Sequence, residues 1–76
     1  MLANEIFAKR LKEIKAIRKT TLPKIAKELG LQAFVVREWA AGYREPDIYY
    51  LIRLSNLLNV SVDYLLGISD NPDIKD

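Results

Sequence analysis

At 76 residues the chain is one domain near the lower size limit for an apolar core that needs no staple, and its 50% hydrophobic content can supply that core. Cysteine and histidine are both absent, which excludes disulfides and thiolate metal sites and removes the commonest general base and zinc ligand, so no enzyme, metal or cofactor site is expected. The net charge of +2 conceals a division: residues 1–44 hold ten basic side chains against four acidic ones, for +6, and residues 45–76 hold two against six, for −4.

Phe7, Leu11, Ile14 and Ile17 recur at four- and three-residue steps, the apolar stripe of a first helix over roughly 4–18, with Asn4 placed to act as its N-cap. Lys19-Thr20-Thr21 break the pattern. Pro23 then stands in the first turn of a second helix, where its missing N–H has no helical partner, and the helix runs to Leu29 with Ile25, Ala26 and Leu29 inward. Gly30 ends it in the left-handed conformation. A third helix is predicted over about 33–41, with Val36 and Trp39 inward and Gly42 as its stop. Pro46-Asp47 restarts the chain, with Asp47 as N-cap of a fourth helix that turns Ile48, Leu51, Leu54 and Leu58 inward. Asn59 tolerates the left-handed position that follows. Ser61 caps a short fifth helix through Tyr64, Leu65 and Leu66, closed by Gly67.

No β-alternation, repeat or low-complexity segment interrupts this series. The expectation is a compact all-α domain of five short helices over residues 1–67, followed by an acidic tail, 68–76, that frays. No apolar run approaches the roughly 18 residues that span a bilayer, and the N-terminus lacks the basic and long apolar segments of a secretory signal. A soluble cytoplasmic protein is the default. The charge division predicts either a basic face for a polyanion with the acidic remainder turned away, or an ordinary solvated surface.

The stretch from Leu22 to Gly42, LPKIAKELGLQAFVVREWAAG, meets the steric needs of two helices crossing steeply over a short turn. With Leu22 as the first position, Ala26 is the small residue at the fifth and Gly30 the glycine at the ninth, while Ile25, Leu29, Leu31, Val36 and Trp39 occupy inward positions. In these features the chain resembles the Xre or lambda-repressor-like helix-turn-helix regulators over nearly all of residues 6–67. GYREP (Gly42–Pro46) resembles the family's loop after the recognition helix, and LLNVSVDYLLG (Leu57–Gly67) its closing helix.

The resemblance implies a homodimer on double-stranded DNA, probing a two-fold-related operator with the third helix in the major groove. Carried over by position, the base readers are Gln32, Ala33, Phe34, Arg37 and Glu38. Gln32 either pairs with adenine or serves as a poor helix cap. Arg37 addresses guanine or a phosphate, and Ala33 offers only a methyl. Phe34 meets a thymine methyl or is buried. Glu38 accepts from a cytosine amino group or pairs with Arg37 or a nearby lysine. Phosphate contacts are expected from Lys24, Lys27, Tyr43 and Arg44, although the lysines also suit plain solvated surface and Arg44 could instead brace its loop through carbonyls or Asp47. Tyr64, Leu65 and Ile68 form the candidate dimer surface.

The chain departs from the family pattern in two places. Leu22 replaces the glutamine that anchors the second helix to a phosphate, and Pro23 removes a nearby N–H, so Lys24 is the expected substitute and Leu22 covers the core at the bend, where Thr20 stands in for a leucine. Lys15 and Ala40 together replace an arginine–glutamate bridge; a lone partner would strand a charge, whereas a lysine stem reaches water. These departures keep open a second role, a protein-interaction module of the same fold, antitoxin-like or bound by an antirepressor, with Leu22, Phe34, Tyr43 and Tyr49 as its apolar patch.

Overall fold

The computed structural model describes residues 3–74 and contains, among them, five helices and no strand. In α1 (Ala3–Ile17), Phe7, Leu11 and Ile14 are buried on one side, as the spacing predicts, but Ile17 lies beyond the edge of the core and is 55% exposed. Asn4 is not the N-cap: it lies inside α1, and its amide donates to the Gly42 carbonyl, tying the start of the chain to the end of the third helix. α1 stops because Lys19 adopts a left-handed φ of 55°, which lets the Thr20 N–H return to the Lys15 carbonyl at 3.1 Å.

Thr21, not singled out by the sequence reading, caps α2 (Leu22–Leu29): its hydroxyl accepts from the Lys24 N–H at 3.3 Å, and Pro23 sits in the first turn. Gly30 then takes φ 72°, and the Leu31 N–H donates to the Ala26 carbonyl at 2.9 Å, closing the helix and turning Leu31 onto the core. A Cβ at Gly30 would meet nothing within 4 Å, so the backbone conformation and not crowding requires glycine there. α3 (Ala33–Ala41) ends in the same way at Gly42.

Asp47 caps α4 (Ile48–Leu58) by accepting from the Tyr50 N–H at 3.0 Å. Leu54 and Leu58 are buried and Leu51 is partly so, but Ile48 is 76% exposed, because the first turn of α4 overhangs the core. Asn59 supplies the left-handed stop, and Ser61 caps α5 (Val62–Leu65), accepting from the Tyr64 N–H at 3.0 Å. Gly67 is needed both for its φ of 78° and for space, since a Cβ there would lie 2.5 Å from Ile6 Cγ2. The core joins these pieces around Trp39, whose ring meets Phe7 edge-on and Tyr50 at a tilt, each with centroids 6.4 Å apart.

The acidic tail departs from the expected fraying as far as it is described. The Ser61 N–H donates to the Pro72 carbonyl at 2.8 Å, and Arg10 pairs with Asp70 at 2.8 Å, so residues 68–74 turn back onto α1 and α5. Tail residues 75 and 76 lie outside the described residues. Among those described, no helix is long and apolar enough to cross a membrane.

Candidate nucleic-acid interface

The α2–turn–α3 unit presents two unlike sides. Val36, Trp39 and Ala40 bury one side of α3 against α1 and α2, which leaves Gln32, Phe34 and Arg37 exposed on the other. Gln32 occupies the N-cap position without a side-chain capping bond, so its amide is not drawn into holding the helix. Ala33 is half-buried and packed against the core. Phe34, for which burial was one expectation, is 45% exposed.

The third helix and its loop bring together Phe34, Glu38 and Arg44. Among the described residues Glu38 pairs with neither Arg37 nor a lysine; Oε2 lies 3.1 Å from Arg44 Nε. The same guanidinium stands 6.0 Å from the centre of the Phe34 ring. Arg44 therefore does not brace its loop through Asp47, whose carboxylate instead caps α4. Tyr43, beside it, is 84% exposed.

Lys24 and Lys27 are exposed on α2, but Lys24 does not join the α3 group: it borders a shallow groove with Arg18, Thr20, Glu28 and Leu57, between α2 and the end of α4. Leu22 is half-buried and packed on the core, as its replacement of a polar residue suggested, which takes it out of any exposed apolar patch. Ala40 is buried and Lys15 half-buried, so a small methyl occupies the place where a carboxylate would need a partner.

The expected dimer surface needs correction. Leu65 is fully buried and Tyr64 is 4% exposed; both fill the core because the single turn of α5 must cover α1. Of the three residues, Ile68 alone is exposed. The Tyr64 hydroxyl donates to Glu13 Oε2 at 2.9 Å, and the Arg10 guanidinium lies 4.4 Å from the ring centre. Burial, reinforced by the bond to Glu13 and opposed by Arg10, raises the Tyr64 pKa.

Three arginines have structural uses that sequence reasoning missed. Arg18 donates from Nε to the Leu58 carbonyl at 2.8 Å and from Nη2 to the Asn59 carbonyl at 2.9 Å, closing the end of α4. Arg53 donates to the Leu29 carbonyl at 3.1 Å, closing the end of α2, and Arg10 holds the tail through Asp70. No local signal marks these uses, since each target lies at least 24 residues away.

The helix-turn-helix family matches residues 11–65, the span that holds all of α2 to α5. Among relatives from Bacillus subtilis, the HTH-type transcriptional regulator YobD is 31% identical over 92% of this chain and 62% of its own length. ImmR, also named an HTH-type transcriptional regulator, is 42% identical over 78% of this chain and 46% of its own. The SPbeta prophage-derived regulator YonR is 34% identical over 80% of this chain and 56% of its own. The chain thus spans between about half and two thirds of the length of these relatives. Family and relatives alike are those of transcriptional regulators, not of enzymes. A matching family over most of the chain, the glycine turn at Gly30 and the packing of α2 on α3 agree: the chain belongs to the Xre-like helix-turn-helix family.

Proposed function

We propose that the domain is a sequence-specific repressor that binds double-stranded DNA as a homodimer in the cytoplasm, with α3 in the major groove. The observation that carries this reading is the exposed side of α3, where Gln32 and Arg37 stand clear of the core on a helix that buries Val36 and Trp39. Gln32 and Arg37 read base edges, as bidentate side chains can. Lys24, Lys27, Tyr43 and Arg44 supply phosphate contacts, which provide affinity without sequence information. The prophage origin in YonR's name supports a role in a phage or mobile element.

Selection of bound duplexes from a random-sequence pool at moderate salt tests the reading. Enrichment of a two-fold-related site, with half-sites roughly 34–36 Å apart, is the expected result. Recovery of DNA without enrichment would remove sequence specificity from the proposal, and no recovery would remove DNA.

A second reading, a protein-interaction module, is favoured by one observation: Tyr43, Ile48 and Tyr49 are largely exposed in and just after the loop that follows α3. Salt separates the two. Contact with six to ten phosphates makes affinity fall about 10³–10⁵-fold between 50 and 200 mM salt, whereas an apolar partner would show little such dependence.

A further inference from the structure

Phe34 and Glu38 stand one turn apart on α3, and Arg44 folds back from the following loop to meet both. The backbone supports this return, because the Tyr43 N–H donates to the Glu38 carbonyl at 3.0 Å, immediately before Arg44. The ion pair uses Nε, the inner nitrogen of the guanidinium. The side chain of Arg44 remains 48% exposed, and its two Nη groups form the planar fork that matches a phosphate. We propose that Phe34 and Glu38 are positioning residues that hold Arg44 as a clamp on a DNA phosphate at the edge of the groove. This rests on the DNA-binding reading above.

Two otherwise awkward residues are then accounted for together. A carboxylate on a recognition helix repels phosphate by charge alone, but here it restrains an arginine whose charge cancels its own. A large aromatic ring left exposed on the same face forms a wall beside the guanidinium, at the outer limit of a cation–π contact. Restraining a long, rotamer-rich side chain before binding lowers the entropy lost on binding. The side chains of Arg44 and Glu38 are 48% and 36% exposed, so removing either leaves the fold intact.

The test measures affinity of the full chain and its variants for a duplex of the enriched sequence and for a scrambled duplex, over a range of salt. Arg44→Ala should weaken binding to both by about tenfold and reduce the slope of log affinity against log salt by about one. Glu38→Ala removes a negative charge yet should weaken binding to both by about three- to tenfold, through the loss of restraint. In an Arg44→Ala background the same substitution should no longer weaken binding. Glu38→Gln, which keeps the shape, should fall between wild type and Glu38→Ala, with an unchanged thermal midpoint. Glu38→Ala binding as tightly as wild type, or more tightly, would overturn the positioning role. Arg44→Ala that weakens only the enriched duplex would overturn the phosphate assignment. Wild-type chain that binds neither duplex would overturn the DNA reading itself, and this proposal with it.

Discussion

Arginines of the basic half and the acidic half share a charge but divide by location into two uses. Arg18 and Arg10, on and just after α1, reach across to the carbonyls that end α4 and to Asp70 in the tail. Arg53, from the acidic half, reaches back to the end of α2. Arg37 and Arg44, on α3 and its loop, are exposed on the side away from the core. The charge division, taken as a single basic face, would place all the N-terminal arginines on one polyanion-binding surface. The structure shows instead that part of the positive charge holds the two halves together, where carbonyls at helix ends lack partners of their own. Charge asymmetry along a chain therefore overstates the charge available to a partner.

The largest expected effect lies on neither arginine group but on the core that separates them. Trp39→Ala should cost about 3–5 kcal/mol and abolish a cooperative urea transition, since it empties the space between Phe7 and Tyr50. A well-folded variant would mean that Val36 and Ala40 suffice to hold α3 on the core. On the exposed side, Arg37→Ala should lose about 1–3 kcal/mol of discrimination at one base position while leaving the melt unchanged. Gln32→Ala should behave likewise. A lowered melting point in either variant would move that residue into the structural group. Arg18→Ala should do the reverse, lowering stability by about 1–2 kcal/mol through two lost carbonyl bonds, with sequence preference retained in the selected pool.

The smallest effect concerns pH. Burial holds the Tyr64 pKa above its ordinary value of 10.0, with the bond to Glu13 adding to the shift. The folded state thus favours the neutral phenol. The resulting stability is whole below the unfolded value near 10.0 and is lost as pH rises through the higher folded value. Urea midpoints measured across this alkaline range should fall less steeply for Tyr64→Phe than for the wild type. Equal slopes would show that the other tyrosines and the lysines account for the fall.

Much of the fold was legible because its signals are local. A glycine or asparagine at Gly30, Gly42 and Asn59 answers a left-handed backbone need within one residue, and Asp47 and Ser61 cap helices only three residues away. The misreadings came where a residue's place depends on what covers it. Ile17 and Ile48 continue apolar stripes, but they lie past the ends of the core and are exposed. Tyr64 and Leu65, expected at a surface, are buried because the short α5 packs on α1 and turns both toward the core. Asn4 matched a cap by position and was drawn instead to a carbonyl 38 residues away.

The candidate interface divides in the same way. Its residue types, and their placement on and around a helix that begins after Gly30, follow from the sequence through periodicity and turn chemistry alone. Which of them meet does not. The grouping of Phe34, Glu38 and Arg44 required the loop to fold back from Gly42, and the separation of Lys24 from that group required α2 to pack beside α4. Local backbone preference determines helices and their ends, because both partners lie within a few residues. Side-chain pairing across a loop or between helices is decided only when the core has set the distances.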